Sequence, residues 1–110
     1  MVEWQQRDPV VIRCDIRHLN WQRVINIQRS KYGKLFDVIL IDPPWKLNVK
    51  VNYGLLTDDE LVNSLPLFDL LDDDGLLFCW LVNAKLAFTL DWLRDLGFVL
   101  VDSLASFKLT

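Results

Sequence analysis

A chain of 110 residues is the size of one small domain, and 52% apolar residues, with five Trp and six Phe, are ample for a packed core. No apolar run approaches the roughly 20 residues of a membrane span, and the opening MVEWQQRDPV has no apolar signal core. One histidine, His18, and two distant cysteines, Cys14 and Cys79, form no zinc-binding pattern. The expectation is an intracellular domain with reduced thiols, no metal and no membrane contact. The net charge of -3 is unevenly spread: through Lys34 seven Lys/Arg face three acids, and beyond it five face twelve. That asymmetry permits a basic rim on an acidic body.

In chain order, Val10 to Cys14 has strand composition and ends at Asp15. Asn20 then caps a helix whose Trp21, Val24, Ile25 and Gln28 share a face, and Tyr32-Gly33 ends it. Phe36 to Ile41 is apolar at every position but Asp37, as in a parallel strand covered on both faces. Thr57-Asp58-Asp59-Glu60 matches a capping box and starts the next helix, which Pro66 interrupts. Asp72-Asp73-Asp74-Gly75 reads as a turn, and Leu76 to Val82 as a third strand. Asn83 is placed to cap a helix that shows Leu86, Leu90 and Leu93 on one face and stops at Gly97. Phe98 to Thr110 reads as a fourth strand. The alternation predicts a single α/β domain over residues 1–110, an open, mostly parallel, doubly wound (Rossmann-like) sheet, incomplete as it stands.

In such sheets ligands bind beyond the carboxyl ends of the strands, where Asp15 and Asp42-Pro43-Pro44-Trp45 both fall. The Asp42 carboxylate and the Pro43 carbonyl are acceptors, the prolines bring no competing N–H and stiffen the turn, and Trp45 offers a flat apolar face. Together they suit an aromatic ring bearing an amino group. The exocyclic amine of adenine is a poor nucleophile because its lone pair is delocalised; two acceptors gripping its hydrogens favour the pyramidal, more reactive nitrogen. Each residue also has a plainer reading: Asp42 a turn cap, the prolines a strand stop, Trp45 core. Their order directly after a buried strand favours the chemistry.

Cys14-Asp15-Ile16-Arg17, Phe36-Asp37-Val38-Ile39 running into Asp42-Pro43-Pro44-Trp45, Tyr53-Gly54 with Asp58-Asp59-Glu60, and Asp73-Asp74-Gly75 before Leu77-Phe78 and Trp80 resemble the eukaryotic adenine-N6 methyltransferases, the family of the catalytic subunit that writes N6-methyladenosine into mRNA. The resemblance implies S-adenosyl-L-methionine (AdoMet) as cofactor and adenine in RNA, or less favoured in DNA, as substrate. It also implies a nuclear location and a homologous methyltransferase-like partner subunit. It gives Asp42 and Pro43 the grip on the target amine, with Pro44 in the same catalytic motif and Asp42 also near the methionyl end of the cofactor. Trp45 would stack near the target adenine, and Tyr53 would line the acceptor pocket. Asp15 would accept from the amino group of the cofactor's adenine, flanked by backbone of Cys14 and Ile16; the plainer reading of Asp15 is a helix cap. The family's domain is longer than this chain, so the expectation is a half-domain, inactive alone. The alternative is a non-catalytic subunit that scaffolds a catalytic partner.

Overall fold

The computed structural model describes residues 9–46 and 55–103. Helix α1 (Trp21–Tyr32) begins where the Asn20 side chain accepts a hydrogen bond from the Arg23 N–H at 3.1 Å. It ends at Gly33, whose left-handed φ of 73° lets its N–H donate to the Arg29 carbonyl. Both ends lie where the sequence pattern puts them, and Ile25 is buried with Trp21, Val24 and Gln28 half-buried beside it. Strand β1 (Phe36–Ile41) comes next. Helix α2 (Asp58–Ser64) has both halves of its capping box: the Thr57 hydroxyl accepts from the Glu60 N–H, and the Glu60 carboxylate accepts from the Thr57 N–H. Pro66 separates it from α3 (Leu67–Leu70). Then come β2 (Leu71–Cys79), a 3₁₀ turn at Asn83–Lys85, and α4 (Leu86–Leu96), closed by Gly97 at φ 104°.

The sheet in the described residues has two strands, β1 and β2, paired in parallel. Val38, Ile39, Leu40 and Ile41 face Leu76, Leu77, Phe78 and Cys79, and the Trp80 N–H extends the ladder to the Ile41 carbonyl at 2.9 Å. A parallel pair needs a crossover, and α2 with α3 supplies it. The predicted turn Asp72 to Gly75 is instead a bulge inside β2: Phe36 pairs with Leu71, and the next paired position, Val38, meets Leu76. β2 therefore begins at Leu71 and ends at Cys79, short of the expected Val82. Adjacent like charges favour looping out over pairing, and Gly75 permits it, because a Cβ there would lie 2.5 Å from Leu71 Cγ.

The expected outer strands are absent from the described residues. Val10 to Cys14 is not in a strand: Val10 and Val11 are 80% and 76% exposed, with no neighbouring strand among the described residues to bond their backbone. Residues 98–103 are likewise outside any strand, and the rest of the predicted fourth strand, 104–110, lies outside the described residues. Composition favours extended backbone, but only a partner makes a strand.

The core lies on one face of the sheet. Leu56, Leu61, Leu65, Leu67 and Trp92 form it, with Ile39, Ile41 and Leu77 packed against them. The opposite face, Val38, Leu40, Leu76 and Phe78, is exposed, so β1 is not covered on both faces as its composition predicts. In α4 the inward stripe is Phe88, Thr89, Trp92, Leu93 and Leu96; of the expected Leu86, Leu90 and Leu93, only Leu93 belongs to it. A 3₁₀ turn precedes the helix, Asn83 does not cap α4 through its side chain, and Leu86, the first helical residue, is 44% exposed. No helix among the described residues is long and apolar enough to cross a membrane.

Leu67 is 1% exposed at the centre of the core. Leu67→Ala is expected to cost about 2 to 5 kcal/mol of stability, read as a lower denaturation midpoint with an unchanged slope.

Candidate functional site

The carboxyl end of β1 runs directly into Asp42-Pro43-Pro44-Trp45, and the backbone doubles back there. The Trp45 N–H donates to the Pro43 carbonyl at 2.9 Å, and the Leu56 N–H donates to the Pro44 carbonyl at 3.1 Å. A short parallel bridge pairs Trp45 with Leu56. Two residues without N–H donors thus have both carbonyls engaged by neighbours that carry one. Pro43 is buried and Pro44 exposed. Asp42 is exposed, and its carboxylate accepts no hydrogen bond among the described residues. It is an unspent acceptor at a fixed strand end. Its charge is felt by Cys79, opposite Ile41, whose thiol is pushed up to about 11 mainly by burial and then by Asp42; this sulfur stays protonated at neutral pH.

Trp45 is half-buried and wedged. Its ring meets Phe88 edge to face at 6.1 Å and 87°, Phe88 stacks on Trp92, and the indole Nε1–H donates a long bond of 3.4 Å to the Trp80 carbonyl. The Lys85 ammonium lies 5.9 Å from the Trp45 ring centroid and is held by both oxygens of Asp58 at 3.0 and 3.1 Å. The indole therefore belongs in part to the core, the plainer of its two readings, while keeping some surface open.

Asp15 sits in the loop before α1. It is not the helix cap, since Asn20 makes that bond. Its carbonyl accepts from the His18 N–H at 2.9 Å. Its carboxylate is gripped by Arg17: Oδ1 accepts from the Arg17 N–H at 2.9 Å and from Nε at 3.0 Å, and Oδ2 accepts from Nη2 at 2.6 Å and from Nε at 3.2 Å. Arg17 then reaches Glu60 of the α2 capping box, Nη1 donating to Oε2 at 2.8 Å. These bonds to Arg17, side chain first and backbone second, hold the Asp15 carboxyl well below the usual carboxylate range. Glu60 is lowered as well, by the Thr57 N–H first and Arg17 next. Cys14 is exposed and its thiol donates to the Asp15 carbonyl at 3.4 Å. The Ile16 carbonyl accepts from Trp21 Nε1 at 3.1 Å.

A cavity of about 480 Å³ lies beside β1 and is lined by Ile16 and by the residues that follow the strand. Ile16, Asp42, Pro43 and Pro44 border it at one end. Consecutive residues Val38 to Ile41 of β1 line it, with Trp21 and Val24 of α1 and with Leu61, Leu65, Leu67 and Leu70. That volume is in the range of small-molecule sites. The structure thus brings Ile16 to the same cavity as Asp42, Pro43 and Pro44, while Cys14, Asp15 and Trp45 stand outside its lining. Tyr53 lies outside the described residues. Sequence reasoning missed roles for Arg17 and Lys85. Arg17 carries a signal in the Asp-x-Arg spacing that allows a local fork to form; Lys85 carries none, because its partners are distant in sequence.

The described residues thus form a mixed α/β structure with a two-stranded parallel sheet and a proline-stiffened loop, Asp42 to Trp45, at the carboxyl end of one strand. Residues 36–110 match the MT-A70 family, and the chain belongs to that family. It is 36% identical over 97 residues to N(6)-adenosine-methyltransferase catalytic subunit METTL3 of Homo sapiens, covering 87% of this chain and 15% of that protein. To the N(6)-adenosine-methyltransferase MT-A70-like protein of Drosophila melanogaster it is 34% identical over 97 residues, 87% of this chain and 14% of the relative. With the MT-A70-like N(6)-adenosine-methyltransferase of Arabidopsis thaliana it shares 29% over 94 residues, 84% of this chain and 12% of the relative. The chain thus spans about one-seventh of the first of these relatives.

The Asp15 grip has a measurable consequence. Because folding lowers this pKa, the interaction is fully present above the ordinary aspartate value and is lost as pH falls through the folded one. In an NMR titration the Asp15 carboxyl carbon is expected to keep its ionised shift at about pH 3, roughly one unit below an ordinary aspartate. Arg17→Ala should return it to the ordinary range.

Proposed function

We propose that this chain is the acceptor-loop portion of an AdoMet-dependent methyltransferase acting on the N6 amine of adenine in nucleic acid, RNA more than DNA. The observation that carries the proposal is the Asp42 carboxylate, unengaged among the described residues, at the end of a paired parallel strand and beside the buried Pro43. Membership of the MT-A70 family and the activities for which its relatives are named support it.

The residues present fit the cofactor and the substrate. The cavity bordered by Ile16, Asp42, Pro43 and Pro44 has a mostly apolar lining with one anionic acceptor, Asp42, which suits a cationic ligand with an aromatic end. When bound, AdoMet supplies an electrophilic methyl group. The chain's own part is to grip and orient. The Asp42 carboxylate accepts one hydrogen of the adenine amine. The Pro43 carbonyl has two lone pairs, one of them engaged by the Trp45 N–H, and the second accepts the other hydrogen. Pro44 has no N–H to compete. The exposed part of Trp45 stacks on the base, while Asp15 with Cys14 and Ile16 receives the adenine end of the cofactor.

The complete fold in this proposal is a doubly wound Rossmann-like sheet, residues 1–110 belong to one domain, and the protein works in the nucleus with a homologous partner subunit. A second reading, a non-catalytic subunit that scaffolds a catalytic partner, is favoured by one observation: the open apolar sheet face of Val38, Leu40, Leu76 and Phe78 requires a cover.

Asp42→Ala in the full-length protein is expected to lower methyl transfer about a hundredfold or more, on the order of 3 kcal/mol for a preorganised polar group, with the fold retained. Labelled AdoMet with RNA and DNA oligonucleotides of matched sequence measures this and the preference between them. Near wild-type turnover by the variant would refute the role of Asp42, and absence of turnover in the unmutated full-length protein would favour the scaffold.

A further inference from the structure

Among the described residues, Arg17 bonds through its guanidinium to two acids from different parts of the chain, Asp15 and Glu60. Its backbone N–H, Nε and Nη2 all donate to Asp15, and Nη1 donates to Glu60, 43 positions along the chain. Glu60 in turn accepts from the Thr57 N–H through its other oxygen, Oε1 at 3.1 Å. An unbroken line of hydrogen bonds therefore runs from the Asp15 carboxylate through the guanidinium to the first turn of α2. We infer that Arg17 is a positioning residue for ligand binding: it fixes the orientation of the Asp15 carboxylate and ties the Asp15 loop to α2, so that the acceptor is preset when the cofactor's amino group arrives. The inference rests on the proposed contact between Asp15 and the adenine end of AdoMet.

The pattern of bonds fits an acceptor held in place rather than one consumed. A carboxylate offers about four lone-pair positions. On Oδ1, two bonds of 2.9 and 3.0 Å are both firm. On Oδ2, Nη2 is close at 2.6 Å, but Nε at 3.2 Å is the long arm of a bond it already shares with Oδ1. One position on Oδ2 is thus weakly engaged, and its direction is set by the fork that holds the rest. Both side chains remain partly open, Asp15 at 37% and Arg17 at 41% exposure, so a ligand can reach that position without displacing Arg17. A lysine could supply charge here, but neither the planar fork nor a simultaneous reach to Glu60.

The test is a double-mutant cycle on the full-length protein, with AdoMet affinity read by calorimetry and folding by thermal melting. Arg17→Ala is expected to weaken AdoMet binding on the order of tenfold and to have no further effect in an Asp15→Ala background. Arg17→Lys should recover part of the loss. Equal losses in both backgrounds would make Arg17 a general structural tie, and full recovery by lysine would mean that bare charge suffices; either result overturns the inference. If Arg17→Ala leaves affinity unchanged while Asp15→Ala weakens it, the inference fails and the cofactor contact stands. If Asp15→Ala itself has no effect, the contact fails and the inference with it. Should Arg17→Ala not fold, Glu60→Gln serves instead, because glutamine keeps the capping bond to Thr57 but removes the charge that anchors the far arm. A several-fold loss of affinity supports the tie to α2, and an unchanged affinity overturns it.

Discussion

The parallel ladder between Val38–Ile41 and Leu76–Cys79 is the constraint on which the rest of the described structure depends. It aims both strands the same way, so the segments leaving Ile41 and Cys79 emerge at one end. Asp42 and Trp45 come from the first exit, Trp80 and Lys85 from the second, and they meet: the indole of Trp45 reaches the Trp80 carbonyl, and Lys85 lies over the ring. An antiparallel pair would put these exits at opposite ends. The crossover also places α2 beside the same end, with its capping box within reach of Arg17.

Local chemistry is legible in the sequence wherever it is self-contained. Asn20, Gly33, Thr57 with Glu60, Pro66 and Gly97 act within a few residues of themselves, and each does what its residue type and spacing imply. Phe36 to Ile41 is equally legible as a strand, and the acidic loop at its end as a candidate site. Features that depend on partners are not legible in this way. Val10 to Cys14 and Phe98 onward have the composition of strands, but composition sets a preference that a neighbouring backbone must redeem. The Asp72 to Gly75 bulge has the composition of a separate turn, and nothing in the sequence reveals that Leu71, before it, regains its pairing with Phe36. The inward face of α4 is only partly legible: Leu93 lies on it as the leucine spacing implies, but Phe88, Thr89 and Trp92 are selected by packing against the core.

Charge along the chain also changes meaning once folded. The first third carries a basic excess, yet Arg17 is committed to Asp15 and Glu60, and Lys34 to Asp37. Arg13, Arg23 and Arg29 remain exposed. Nucleic-acid affinity draws on several phosphate contacts together, so in the proposed reading most of the cationic surface has to come from a partner or from further sequence. In that reading this region contributes acceptors and shape instead.

Trp45 is where packing and the proposed recognition meet. A base-stacking platform needs a ring held rigidly with one face open, and rigidity comes from packing. Phe88 braces the ring edge to face, Trp92 backs Phe88, and Lys85 occupies a position over the indole. Lys85 is itself tethered to Asp58, at the start of the helix whose capping glutamate holds Arg17. The first turn of α2 thus carries two separate ties, Asp58 to the Trp45 side through Lys85 and Glu60 to the Asp15 side through Arg17. A displacement of α2 strains both at once. The core role of Trp45 and its proposed stacking role are therefore not rivals: the same packing that buries part of the indole is what holds the remainder still.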